Sequence, residues 1–431
     1  MATASLTAGV ITGNQLVLDY LNRTYNEVIR FRNTSLSPKR QNLLHALQQA
    51  YQEAASCNLE PVSGCPPRSA VARSLLELPG GKALAAAVAE NDLPGANPDE
   101  RPNPGWLEGL FDYASSRRVN FPVHVNTREA VHRIPAAAAA PIRIAITGDR
   151  GTQKESTRAI AELISQQHPH YTIHLGDVYY SDRGKDRPQN PPASWPCGSL
   201  GSFALNSTNE MFSGGDDYFN VTLWSPTFAI QSHLSYFALY NPYWLIIGLD
   251  TSYFAYNYSL LYDEGTLDDP LDHTKGSVQV QWLRELLLNH AGKRVIVLTH
   301  HDGFSVDPVS GKVRPKPLWT QMASELRGRA EWWWYWGHIH AGIAYRRILF
   351  LDDTSVSPRC VGHGGVPHRP FPRELRNFTD PNIAIEWAEH QTAHSGESCR
   401  ALNGFVMLTL DGPALTESFF DETGRQRWPR S

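Results

Sequence analysis

Across residues 14–92 the apolar positions recur at helical spacing. In QNLLHALQQAYQEAA, for example, Leu43, Leu44, Leu47 and Tyr51 fall on one face of a predicted helix. The periodicity then stops. The stretch ENDLPGANPDERPNPGW concentrates Pro, Gly, Asn and Asp and predicts a long loop, and IPAAAAAP, residues 134–141, reads as a linker or short covering segment. The expected division is therefore a helical N-terminal region with its linker over 1–140 and a second domain over 141–431. From Pro141 onward, apolar strands alternate with helices, which predicts an α/β sheet with layered helices. The strands are IRIAITGD, YTIHLGD, YWLIIGLD, RVIVLTHHD, AEWWWYWGHIH and IAYRRILFLDD, with helices over about 154–167 and in VQVQWLRELLLNHA. The C-terminal run NGFVMLTLDGPALTESFFDETGRQRW alternates around glycine turns as a β-hairpin would. In EWWWYW the residues on both faces are large and apolar, so this strand is expected to be covered on both sides. Period-2 alternation would then present His338 and His340 on one side.

Composition narrows the class without changing this picture. The 431 residues are 41% hydrophobic and 19% charged, which describes a chain able to bury a large core. A net charge of −4 supplies no basic field for nucleic acid or anionic lipid, so an anionic substrate would be met by local charge, for which a bound cation is the economical solution. No apolar run approaches the roughly 20 residues of a membrane span. The N-terminal MATASLTAGVITGNQ lacks a basic segment followed by an apolar one, so no secretory signal is expected and the cytoplasm is the expected location. The cysteines Cys57, Cys65, Cys197, Cys360 and Cys399 form no CxxC pair. Cys57 with Cys65, or Cys360 with Cys399, could pair in an oxidising compartment.

The chemistry lies where strands end. Asp149 closes IRIAITGD and Asp177 closes YTIHLGD, with Tyr180 three residues on; His300 closes RVIVLTH, and His338 and His340 close the aromatic strand. Sites in open α/β sheets form outside the carboxyl ends of strands, so these residues can converge. Each alone is an ordinary turn or core residue. Together, two carboxylates, three imidazoles and a phenol suit one or two borderline transition metals better than Ca²⁺ or Mg²⁺.

The order GD, GDxxY, a region ending NEM, a strand with His, then GHxH resembles the calcineurin-like metallophosphoesterase superfamily, over about residue 142 to the last strands. Within it the chain is similar to the purple acid phosphatase branch: Gly151 stands where most of the superfamily has the histidine of DxH, and Tyr180 stands at that branch's iron-binding tyrosine. The resemblance implies a four-layer α-β-β-α metallophosphoesterase sandwich following the N-terminal helical region. It implies that Asp149, Tyr180 and His340 hold one ion, typically Fe(III), and that Asp177 bridges to a second, Zn, Fe(II) or Mn, held also by His300 and His338. One carboxylate between ions about 3.5–4 Å apart would form the clamp that stabilises in-line displacement at phosphorus by a metal-activated hydroxide. The implied partner is a small phosphorylated substrate, with neither nucleic acid nor membrane; the oligomeric state is open.

One motif departs from the pattern. Where the family has GNHE or GNHD, this chain has STNE, which puts Thr208 at the metal-binding asparagine and Asn209 at the histidine that assists the leaving group. Thr208 offers only a neutral hydroxyl, and Asn209 does not titrate. A one-residue slip could let Asn209 serve as the ligand, or Asn206 could reach in from the preceding turn. A metal-retaining but catalytically weakened binding or scaffold protein is therefore the competing expectation. Candidate substrate contacts are Arg150, His301 and His363. The planar guanidinium of Arg150 suits a phosphate oxygen, while strand alternation would send His301 to the face opposite His300.

Overall fold

The computed structural model describes residues 13–30, 38–56, 68–90, 104–135, 141–151, 155–178, 195–257, 264–269, 272, 277–306, 312–329, 331–349, 355–366, 384–395 and 398–429. It divides into two compact units, Met1–Arg117 and Arg118–Ser431. The short strand β1 (Val131–Arg133) is part of the second unit's larger sheet. Residues 136–140 of the expected linker, and Cys57 and Cys65, lie outside the described residues.

The first unit contains α1 (Gly13–Ile29), α2 (Pro38–Ser56), α3 (Arg68–Leu76), α4 (Pro79–Glu90) and α5 (Pro104–Ser115). Val17, Leu21, Thr24 and Val28 make a buried stripe on α1 at the spacing an amphipathic helix requires. On α2 the buried stripe is Leu43, Ala46, Leu47, Ala50 and Ala54, whereas Tyr51 is 40% exposed. The face thus turns through the alanines, which let α2 and α4 approach, rather than through the tyrosine that apolar spacing favoured. Of the expected loop over 90–106, residues 91–103 lie outside the described residues and only the last three enter a helix, α5: Pro104 and Gly105 break a strand or helix interior, but proline is tolerated in a helix's first turn. Leu107, Leu110 and Phe111 then bury its inner face.

The second unit holds two main sheets. The larger is built from β1, β5 (Phe237–Tyr240), β6 (Trp244–Gly248), β7 (Arg294–Thr299), β10 (Glu331–Trp336), β13 (Ser355–Val361), β11 (Gly342–Tyr345) and β14 (Ile385–Ala388) in that spatial order, with β12 (Ile348–Leu349) on β13. Its centre, β6, β7, β10 and β13, is parallel. The smaller sheet runs β19 (Gln426–Trp428), β18 (Ala414–Asp421), β17 (Gly404–Asp411), β2 (Ile142–Thr147), β3 (Tyr171–His174) and β4 (Gly201–Ala204). Its last three strands are parallel, and the C-terminal hairpin β17–β18 docks antiparallel on β2. Two-stranded ribbons β8–β9 (Phe304–Val306, Val313–Pro315) and β15–β16 (Thr392–Ser395, Ser398–Ala401) complete the strands.

Side-chain packing places four layers. Ile144, Ile146, Ile173, Ile246, Leu298, Trp333, Tyr335, Val406 and Leu408 form one core between the sheets. The outer face of the larger sheet packs Val295, Val297, Trp332, Trp334 and Trp336 against Trp282, Leu283 and Leu286 of α8 (Ser277–Asn289) and Leu318 and Met322 of α9 (Pro317–Glu325). The outer face of the smaller sheet packs Ala145, Phe405 and Met407 against Ile160 and Ile164 of α6 (Glu155–Gln166). This is the expected four-layer α-β-β-α sandwich. The aromatic run is therefore a central strand whose odd and even residues serve different cores.

Cys197, Cys360 and Cys399 are free. The Cys360–Cys399 bridge that spacing allowed does not form: Cys360 is fully buried in β13 with its thiol directed to the Ala341 carbonyl at 3.0 Å, and Cys399 lies exposed on a separate ribbon. No helix among the described residues is long and apolar enough to cross a membrane.

Trp334 is fully buried and its indole Nε1 donates to Thr299 Oγ1 at 2.8 Å, so its loss removes both packing and a hydrogen bond beneath the site. Trp334→Ala is expected to lower unfolding free energy by about 3–5 kcal/mol; a urea midpoint within experimental error of the wild type would contradict the packing role.

Candidate metal centre

The strands β2, β3, β7, β10 and β13 all end at one edge of the sandwich, and backbone hydrogen bonds tie their terminal loops together. Gly148 N–H donates to Val361 O at 2.8 Å, Asp149 N–H to Gly176 O at 3.0 Å, Gly151 N–H to Asp177 O at 3.0 Å and Gly337 N–H to His300 O at 3.0 Å. Among the described residues seven non-glycine residues have positive φ, and four of them are Asp149, Asp177, His338 and His340, at 56°, 55°, 66° and 49°. Such backbone is costly and survives where the surroundings over-determine it, most often at functional sites. The cross-links supply that determination here. β10 ends at Trp336, so His338 and His340 sit on a turn rather than on the strand, and strand alternation does not orient them.

Two groups of ligand-type side chains result. Asp149, Asp177 and His340 form one, and His300, His301 and His338 the other, the offered atoms within each lying within 4.8 Å of one another. Asp177 reaches both: its Oδ1 is 3.6 Å from His300 Nε2 and its Oδ2 is 3.8 Å from His340 Nε2. Asp149 Oδ2 accepts the His338 N–H at 2.8 Å, while Oδ1 lies 3.7 Å from His340 Nε2 and has no hydrogen-bond partner among the described residues. A Cβ on Gly337 or on Gly362 would stand 2.5 Å from Asp149 Oδ2, so these two glycines let the backbone enclose the carboxylate. A fully buried carboxylate oxygen with no donor fits a cation. Burial, and then the charge of Asp177, push the Asp149 pKa well above the carboxylate range. Burial also opposes ionisation of Asp177, but His300 and His340 outweigh it and hold its pKa low.

Thr208, the first residue of α7 (Thr208–Phe212), is buried with Oγ1 3.4 Å from His300 Nε2 and 3.5 Å from Asp177 Oδ1. Asn209 donates its backbone N–H to Asp177 Oδ1 at 3.3 Å. Asn206 does not reach into the site as a ligand, because its amide is committed to the Asp250 carboxylate at 3.1 and 3.2 Å and to the Ser207 N–H. His301 corrects the alternation argument: β7 ends at Thr299, and past that end the chain bends, so adjacent histidines gather on one side with ring centroids 5.0 Å apart. Arg150 is buried with its guanidinium 5.7 Å over the Trp195 ring, and burial lowers its pKa to about 10. His363 is buried and shares a small cavity with His340, Glu389 and Asn403. Tyr180 lies outside the described residues.

Two residues of the STNE motif were given no role from the sequence. Glu210 accepts the N–H groups of Asp177 at 3.2 Å and Val178 at 2.7 Å, fixing the turn that aims Asp177, and burial followed by Asp177 pushes its pKa up to about 8. Ser207 Oγ bridges the Asp177 and Glu210 carboxyl groups. The signal was present as Ser-x-x-Glu, the capping-box spacing. The serine of this box turns away from the helix backbone toward the carboxylates.

His174 and His363 are buried and neutral, desolvation holding each pKa down at about 3. The unfolded chain binds these protons near pH 6.5 whereas the folded chain resists until about pH 3. Stability is therefore expected to fall as pH drops from 6.5 toward 3, with a shallower fall in His363→Asn; thermal melts across that range that show no such difference would refute it.

No family model and no curated protein matches the chain. Among solved structures the chain is similar to a purple acid phosphatase isolated from yellow lupin (Lupinus luteus) seeds, at 13% identity and a TM-score of 0.45, covering 67% of this chain and 53% of that one. It thus spans about half the length of the lupin protein. GAP50, the anchor in the inner membrane complex of Plasmodium, matches at 10% identity and a TM-score of 0.40, with 66% of this chain and 85% of that one covered. A conserved protein of Streptococcus pneumoniae TIGR4 described as a predicted phosphoesterase matches at 8% and 0.26, with 68% and 96% covered.

Proposed function

We propose that this chain is a metal-dependent phosphoric ester hydrolase of the calcineurin-like metallophosphoesterase superfamily, on its purple acid phosphatase-like branch. The observation that carries the reading is the placement of Asp177, one carboxylate whose two oxygens face two separate ligand groups. Asp149, Asp177 and His340 would hold one ion, with Tyr180 the expected fourth ligand if it is Fe(III). Asp177, His300 and His338 would hold the second, Zn, Fe(II) or Mn. Ions bound there supply Lewis acidity and make hydroxide available at neutral pH.

Residues around the ligands orient the site and set its leaving-group preference. Glu210 and Ser207 hold Asp177 in its bridging orientation. Arg150, next to Asp149, is the candidate contact for a phosphate oxygen of a small phosphorylated substrate, monoester or diester. Asn209 stands where a histidine would protonate the leaving group, and an amide cannot do so. Leaving groups that depart without a proton are therefore favoured. The same substitution supports a second reading, a metal-retaining protein that binds rather than turns over.

Aryl phosphates are expected to be hydrolysed at least about 10²-fold faster than alkyl phosphates of similar size, with Asp177→Asn abolishing both. A rate independent of leaving-group pKa would contradict the role given to Asn209. Full metal occupancy with no turnover of any aryl monoester or diester would favour the binding protein, and iron without a visible tyrosinate band would exclude Tyr180 as its ligand.

A further inference from the structure

We infer that His301 is a ligand of the second ion, taking the place of the asparagine absent at Thr208, so that this ion is held by three imidazoles, those of His300, His301 and His338. The inference rests on the dinuclear reading and specifies one half of it.

The three rings form one compact cluster. Their centroids are 5.0 Å apart for His300–His301, 5.1 Å for His300–His338 and 4.9 Å for His301–His338, a nearly equilateral triangle. An ion about 2.1 Å from one nitrogen of each ring, at tetrahedral angles, requires ring centroids roughly 5 Å apart. One ligand nitrogen of each ring also lies within 4.8 Å of those of the other two, which ring packing alone does not require. The far nitrogens of two of the rings also have partners. His300 Nδ1 lies 2.9 Å from the Leu175 carbonyl oxygen, which can only accept, so Nδ1 carries the proton and Nε2 has the lone pair. His301 Nδ1 lies 2.8 Å from Thr251 Oγ1; when it donates there, its Nε2 is likewise a ligand atom. His300 and His301 are fully buried.

Glycines make room for both rings. A Cβ on Gly176 would stand 2.8 Å from His300 Nδ1, and one on Gly265 would stand 2.7 Å from His301 Cβ and Cγ. Gly265 and Thr251 therefore form the two sides of a slot that fits the His301 ring. Thr208 remains nearby, but a neutral hydroxyl is a weaker ligand than imidazole for a borderline ion. With three neutral nitrogens and one shared carboxylate, the site should select Zn²⁺ or Co²⁺ over Mn²⁺ and Mg²⁺, which prefer oxygen.

The test is metal binding. Chelator-stripped protein is titrated with Co²⁺, bound ions per chain are counted by mass spectrometry, the ligand field is read from the visible Co²⁺ spectrum, and folding is checked by circular dichroism. Wild type and Thr208→Ala should each bind two ions. His301→Ala should bind one tightly and lose the second by more than about 100-fold in affinity, and Thr251→Val, which keeps the ligand but not its anchor, should weaken the second about 10–100-fold. Two ions at wild-type affinity in His301→Ala would overturn the inference while leaving the dinuclear reading intact. A wild type that binds fewer than two ions would overturn both. If His301→Ala does not fold, Thr251→Val decides, and unchanged second-site affinity there overturns the inference.

Discussion

The second unit is organised around two carboxylates, Asp149 and Asp177, buried side by side where two sheets meet. Transferring a carboxylate out of water is costly unless donors or cations replace its hydration. Asp177 receives such donors from Ser207 and Asn209, while one oxygen of Asp149 receives none among the described residues. The opposite directions of their pKa shifts express the same constraint: without a cation, only one of the two can comfortably carry charge. A pair of metal ions would relieve this conflict, and the two groups of ligand-type side chains lie where such ions would bind.

The remainder of the site is a device for holding those carboxylates in place. Ligands come from the ends of strands in both sheets, so their mutual positions depend on the sheets packing in one register. The core between the sheets, with Trp333 and Tyr335 on one side and Ile144, Ile146 and Ile173 on the other, sets that register. Loop-to-loop hydrogen bonds then carry it to the ligand backbones, which adopt left-handed conformations that no isolated segment would retain. Glycines at 337 and 362 close the backbone on Asp149, and their lack of a Cβ is a packing requirement rather than a source of flexibility.

The departure at STNE changes one side of the site more than the other. Asp149, Asp177 and His340 supply two carboxylates and an imidazole on one side, while on the other the Thr208 hydroxyl lies beside His300 and the His301 imidazole stands close by. Loss of a proton donor at Asn209 and gain of a nitrogen ligand at His301 would both move the chemistry toward strong Lewis acidity with weak general-acid help. That combination suits esters whose leaving groups are stable anions.

Much of this was legible in the chain. Period-2 and period-3.6 patterns located the sheets and helices, the two-sided aromatic run identified a central strand, and the ligand types at strand ends marked the residues that gather at the candidate site. Those features are local, because within a regular element the spacing of side chains dictates which face they share. The errors fall where an element ends or where a face has more than one apolar solution. Tyr51 has the right spacing yet yields to Ala50 because two helices needed to come close, and α5 begins with residues that would break any other part of a helix. His301 joins His300, against alternation, because the strand has already stopped at Thr299. Ser207 and Glu210 became meaningful only when folding brought Asp177 beside them. The sequence by itself determined the ligand chemistry and the strands that carry it. The grouping of those ligands was left to tertiary structure, since beyond a strand's last hydrogen bond the direction of a side chain is set by the neighbouring loops that pin its backbone.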